Sequence, residues 1–213
     1  RSAKWAGRSK SIGACEENNF SSMKTKNKLM VLEGIDGVGK TTVALALKKA
    51  LRKRNISAIL YESYESRHPG FNPLKPLVKK IPIVGSHLFY LAGSIYKSQV
   101  IKNLLKKHWV ICDRYFYSTI AYHKAKNSNL KIGSLNDLLK PNFCFLLTLD
   151  KKIRKERIRH RAKITKSDLV TKTQGSLPYK MEKFLKAMNL ENIDNSTSIE
   201  ETTKKIMSSM HIK

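Results

Sequence analysis

The segment Gly34-Ile35-Asp36-Gly37-Val38-Gly39-Lys40-Thr41 fits the pattern G-x-x-x-x-G-K-[ST]. An apolar run, Leu29–Leu32, precedes it, and from Thr41 to Lys53 apolar residues recur at helical spacing. This strand–loop–helix combination constrains the fold more than any other feature of the chain. Glycines let the backbone wrap an anion with its N–H groups turned inward, and the start of the following helix adds partial positive charge. The pattern therefore predicts a nucleoside triphosphate site. Its contacts would come from Gly34, Ile35, Asp36, Gly37, Val38, Gly39, Lys40, Thr41 and Thr42. Lys40 would reach the β- and γ-phosphates, and the Thr41 hydroxyl would ligate Mg²⁺.

Beyond the loop, buried-strand runs alternate with helical segments. Ile56–Tyr61, Trp109–Cys112, Phe143–Leu149 and Glu191–Asp194 read as strands. Helices are predicted near Ser86–Lys106, Ser118–Ala125, Lys151–Arg161 and Pro178–Leu190, with a last one from Ser198. Proline and glycine make 69–76 a loop, and Ala162–Ser176 is polar without a core pattern. Such alternation predicts an α/β fold with a parallel sheet of about five strands and helices on both faces. Ligands of such sheets bind at the carboxyl ends of the strands. Asp113 stands at one of these ends. It would hold the metal together with Thr41, or else serve as an ordinary helix cap.

Composition narrows the alternatives only in part. The 213 residues carry 42 Lys and Arg against 16 Asp and Glu, for a net charge of +26. That excess suits nucleic acid, an acidic lipid surface or a polyphosphate substrate, and by itself does not choose among them. The longest run free of Asp, Glu, Lys and Arg, Ile81–Tyr96, is too short to span a bilayer and is broken by Pro82 and Gly85. Cys15, Cys112 and Cys144 show no metal-ligand spacing, and the last two lie in buried-strand runs, as expected of reduced core thiols in the cytoplasm. Residues 1–28 are polar, basic and without apolar period, and are expected to be a disordered segment ahead of a single domain, 29–213. Within that segment Met23 reads as the natural start.

Two signatures together resemble the thymidylate kinase family. Leu32-Glu33-Gly34-Ile35-Asp36-Gly37-Val38-Gly39-Lys40-Thr41-Thr42 is similar to its phosphate loop, including the acidic residue at Asp36. Asp113-Arg114-Tyr115, Ser118 and Ala121-Tyr122 match its second signature, D-R-Y-x-x-S-x-x-A-Y. The resemblance implies a P-loop NTPase three-layer sandwich with a short arginine-rich lid. It also implies transfer of the ATP γ-phosphoryl group to dTMP with Mg²⁺, in a protein of the cytoplasm. Asp36 would then accept from the sugar 3′-hydroxyl, Arg114 would bind the acceptor phosphate, and Tyr122 would pack near the deoxyribose. Ser118 and Arg67 would complete the acceptor site. Phe89, twenty-four residues before Asp113, would stack under the base. The implied partner is a nucleoside monophosphate, dTMP foremost, with no membrane and no nucleic acid, and the helix near Ser86–Lys106 is apolar enough to hide a homodimer face.

Some family members place a catalytic arginine at the position of Gly37, whereas those with glycine supply it from the lid. Phosphoryl transfer needs positive charge over the migrating group. From Lys151 to Lys166 nine Lys and Arg residues face one acid, Glu156, and Arg154, Arg157 and Arg161 recur at helical spacing. Lys40, Arg114, Arg157, Arg159 and Arg161 are the catalytic candidates. Three departures stand out. The family's base-reading arginine falls on Gly93, beside Ser94, and His123 replaces a glutamine. The family's R-E-P-G loop appears as Arg67-His68-Pro69-Gly70, leaving Glu62 or Glu65 as the nearby acid. Gly93 keeps open a P-loop kinase acting on another acceptor. The charge keeps open a nucleotide-dependent nucleic-acid-binding protein without transfer chemistry.

Overall fold

A computed structural model describes residues 26–61, 73–160 and 175–212. The strands are β1 (Leu29–Glu33), β2 (Ala58–Tyr61), β3 (Trp109–Asp113), β4 (Phe143–Thr148) and β5 (Glu191–Asp194). All pair in parallel, in the order β2-β3-β1-β4-β5. β1 sits between β3 and β4, with Val31 opposite both Cys112 and Cys144. Its five residues are all buried, which is why no polar residue interrupts the run before Glu33.

Side chains alternate across the sheet, so each apolar run feeds two cores. Leu29, Val31, Val110, Cys112, Cys144 and Leu146 turn to one face. There they pack with α3 (Ile83–Leu104), α4 (Phe116–Lys126) and α6 (Leu177–Lys186). Met30, Leu32, Ile111, Phe145 and Leu147 turn to the other, against α1 (Lys40–Lys53) and α7 (Ile199–Ser209). The result is the expected three-layer sandwich. Phe145 is fully buried, and its truncation to alanine would cost about 3–5 kcal/mol. Cys112 and Cys144 are buried, and Cys15 lies outside the described residues.

The remaining helices are α2 (Lys75–Val78) and α5 (Lys151–Arg159). α2 falls where only a loop was expected; Pro76 is tolerated there because the first turn of a helix needs no N–H from it. α3 starts before Ser86, capped by Pro82. Apolar residues face both its core side (Leu91, Ile101) and its outer side (Val84, Leu88), so no polar break marked the start. Among the described residues no helix is long and apolar enough to cross a membrane.

Candidate active site

The turn after β1 closes on the N-terminus of α1, with Gly39 as N-cap at φ 93°. A β-carbon at Gly39 would lie 2.6 Å from Nδ2 of Asn195, and one at Gly37 (φ 89°) would lie 2.8 Å from Cδ1 of Ile158 on α5. Both glycines thus permit a left-handed backbone and a close approach by later segments. Lys40 is buried, and its ammonium donates to the Ile35 carbonyl at 3.1 Å within the loop. Burial, and then the nearby Arg114 guanidinium, pull its pKa down to about 8. Asn195 ties the loop from outside: its Nδ2 donates to the Val38 carbonyl at 2.7 Å, and its Oδ1 accepts from Thr202 at 2.8 Å.

Thr41 and Asp113, the two expected metal ligands, lie together, the hydroxyl donating to Oδ2 at 2.7 Å. Two hard oxygen donors at the mouth of the phosphate loop suit a small divalent cation. Arg114, at φ 67°, forms an ion pair with Asp36, Nη2 to Oδ1 at 2.5 Å, and donates from Nη1 to Ser118 Oγ at 2.9 Å. Ser118 in turn donates to the carboxylate of Glu33, which also accepts from the N–H groups of Tyr115 (2.8 Å) and Ser118 (3.3 Å). Glu33 is wholly buried and caps α4 from the neighbouring strand. Burial pushes its pKa up, against the pull of Arg114.

Two cavities open on this network. The smaller, about 170 Å³, is lined by the phosphate-loop residues with Thr41, Thr42 and Asp113. The larger, about 810 Å³, is bounded by Ser86, Tyr90, Ser94, Lys97, Tyr122 and His123, among others. That volume lies in the range of small-molecule sites. Asp36 and Arg114 line both. Ser118 and Tyr122 also lie on the larger cavity. Phe89 does not line it; its ring meets that of Tyr90 edge-on at 5.4 Å, and Tyr90 is the aromatic face on the wall. Gly93 lies on the wall too, beside Ser94, whose hydroxyl is spent on the Tyr90 carbonyl at 3.1 Å.

His123 hydrogen-bonds through Nδ1 to the Thr119 carbonyl (2.7 Å) and through Nε2 to Ser86 Oγ (3.1 Å), and packs edge-on against His87. The bonded carbonyl fixes the tautomer: Nδ1 donates and Nε2 accepts. Burial lowers its pKa to about 4, so the imidazole is neutral at ordinary pH.

α5 carries the lid arginines. Asp150 caps it, its carboxylate accepting from Lys152 N (2.8 Å) and Ile153 N (3.3 Å). Arg157 donates to the Asn195 carbonyl at 3.1 Å, and its Nη1 lies 3.7 Å from the β-carbon position of Gly39. Arg154 is buried, donating through Nε to the Asp36 carbonyl at 2.6 Å and through Nη1 to Tyr179 at 3.4 Å, while its Nη2 has no partner among the described residues. Arg159 points outward and is exposed. Arg67 and Arg161, with Glu62 and Glu65, lie outside the described residues. Glu33, which stands in the first signature, Arg154, which shares helical spacing with Arg157 and Arg161, and Asn195 were not among the expected site residues; each acts through a contact more than eighty residues away in the chain.

Comparison with known proteins converges on one family. A sequence model described as thymidylate kinase matches residues 32–206. The probable thymidylate kinase of Methanocaldococcus jannaschii is 29% identical over 194 residues, covering 87% of this chain and 92% of that protein. The thymidylate kinase of Buchnera aphidicola is 32% identical over 169 residues, covering 69% and 76% respectively. The solved structure of thymidylate kinase from Candida albicans shares the fold with a TM-score of 0.63 at 22% identity, over 87% of this chain and 91% of that one.

Proposed function

The chain belongs to the thymidylate kinase family, and on that premise we propose that it transfers the γ-phosphoryl group of ATP to dTMP, giving ADP and dTDP. The observation that carries the reading is the pair of cavities meeting at Asp36 and Arg114. The phosphate loop and Lys40 hold the donor, and the larger cavity takes the acceptor with its phosphate toward Arg114. Asp36 and Tyr122 contact the sugar, Ser118 steadies Arg114, and Tyr90, rather than the neighbouring Phe89, faces the base. Thr41 and Asp113 would hold Mg²⁺, which supplies charge neutralisation along the donor phosphates. No general base is needed, since a phosphate monoester oxygen is already anionic near neutral pH. Arg157, the lid arginine beside Gly39, brings positive charge toward the migrating group.

The wall at Gly93 and Ser94 offers no cation to a base carbonyl, which favours a wider acceptor range as a second reading. An ADP-release assay over dTMP, dUMP, UMP, CMP and thymidine separates the two. Turnover with dTMP leading supports the first; another acceptor leading while dTMP fails supports the second. The buried Cys112 and Cys144 accord with a reducing cytoplasm. Val84, Leu88, Ala92 and Tyr96 form an exposed stripe along α3, which is proposed as a homodimer face. Light scattering should then find a dimer that Leu88→Glu converts to monomer.

A further inference from the structure

Lys97 is a lysine buried in the wall of the larger cavity. Its Nζ donates to the Arg114 carbonyl at 2.5 Å and lies 5.4 Å from the Tyr61 ring centroid and 5.7 Å from that of Tyr115. It also reaches the Cys112 sulfur. An ammonium has three protons to donate, and these partners take two. Among the described residues no carboxylate pairs with it.

The charges at the junction of the two cavities make that ammonium conspicuous. Arg114 is already paired with Asp36 at 2.5 Å, so its charge is largely offset before any ligand enters. Glu33 and Asp113 add negative charge beside it. A phosphate dianion brought to this junction would meet little net attraction from the Asp36–Arg114 pair alone. Lys97, on the same cavity wall and hydrogen-bonded to the backbone of Arg114, is a cation that no carboxylate offsets among the described residues. Tyrosine rings on two sides hold it in place and keep it away from bulk water, where its field would be screened.

We infer that Lys97 is an acceptor-phosphate ligand, donating to the nucleoside monophosphate alongside Arg114. This assignment rests on the proposed reading of the larger cavity as the acceptor site. The competing role is purely structural: Lys97 would only hold the Arg114 carbonyl and so the left-handed backbone there.

Calorimetric titration of dTMP and thymidine into the full chain and into Lys97→Gln and Lys97→Arg separates the two roles. Glutamine keeps a donor for the carbonyl and removes the charge. The expected result is dTMP binding weakened about tenfold or more in Lys97→Gln, thymidine changed by less than about twofold, and Lys97→Arg close to the unmodified chain. Equal loss for both ligands, or dTMP affinity retained in Lys97→Gln, overturns the assignment. A readout that needs no substitution to fold is the ¹⁵Nζ resonance of Lys97, which should move with dTMP and stay in place with thymidine; an unmoved resonance overturns it as well. Failure of the unmodified chain to bind dTMP would overturn the functional reading, and this assignment with it, and is recognisable because it needs no variant.

Discussion

The Arg114 guanidinium lies 2.5 Å from the Asp36 carboxylate, and this one ion pair forms part of the wall of both cavities. It joins the phosphate loop to the turn after β3, the two places where the chain's recognisable signatures fall. An arginine held this way is aimed before the acceptor arrives, so little ordering is left for the moment of binding.

Arg114→Met should lower kcat/KM for dTMP by about a hundredfold while leaving KM for ATP within about threefold. Asp36→Asn should weaken dTMP less, and the double variant should fall short of the summed losses because both act through one contact. Steady-state kinetics on the four proteins gives the coupling directly.

Lys40→Ala should leave less than about 1% of turnover. Lys40 also has a pH signature. Among the chain's own groups its pKa is about 8, and a polyphosphate beside the ammonium favours the charged form and raises it. Binding of ATP between about pH 8 and 9 should therefore take up protons. Calorimetry in buffers of different ionisation enthalpy measures that uptake, and the share due to Lys40 should decline as the pH falls below 8, where the ammonium is already charged.

The arginines of α5 should separate by position. Arg159→Ala, on the exposed side, should change kcat by less than about twofold, whereas Arg157→Ala should lower it about tenfold or more with little change in KM. Arg154→Ala strips the Asp36 carbonyl of its buried donor, so melting temperature and activity should fall together, with a stability loss of about 1–3 kcal/mol.

Stability should weaken as the pH falls from about 6.5 toward 4, in part through His123. Its pKa drops from 6.5 in the unfolded chain to about 4 in the folded one. Within that window the unfolded chain binds a proton that the folded chain does not, so acid favours unfolding; above 6.5 this contribution is constant. His87, also lowered by burial, acts in the same direction. Glu33, whose pKa is raised, acts in the opposite one. Urea midpoints at pH 7, 5.5 and 4.5 for the unmodified chain and His123→Gln isolate the histidine, whose removal should flatten the slope.

The strands and the phosphate loop were legible because their signals are local: an apolar run buried on both faces, glycines, and a lysine ahead of a helix. Asp113 could be placed near the loop by the same logic, since parallel strands bring their carboxyl ends together, but its hydrogen bond with Thr41 emerges only in the fold. Phe89 and Tyr90 show where such reading stops. On α3 apolar side chains point in several directions, so sequence period did not reveal which of two adjacent rings reaches the cavity. The contacts of Asn195, Arg154 and Glu33 were out of reach for a different reason, since each forms only when the chain folds back on a segment far away. The net charge was the least informative feature. The lysines that set it are spread over the molecule, and the one most closely engaged with the cavity, Lys97, is buried.

Asn195 grips the carbonyl of Val38 across most of the chain. The amide that braces the glycine turn is thus made 157 residues after it. During synthesis the nascent protein should therefore carry an unfinished ATP grip until that stretch has emerged, so a translation product interrupted within it would compete poorly for the cell's nucleotide pool.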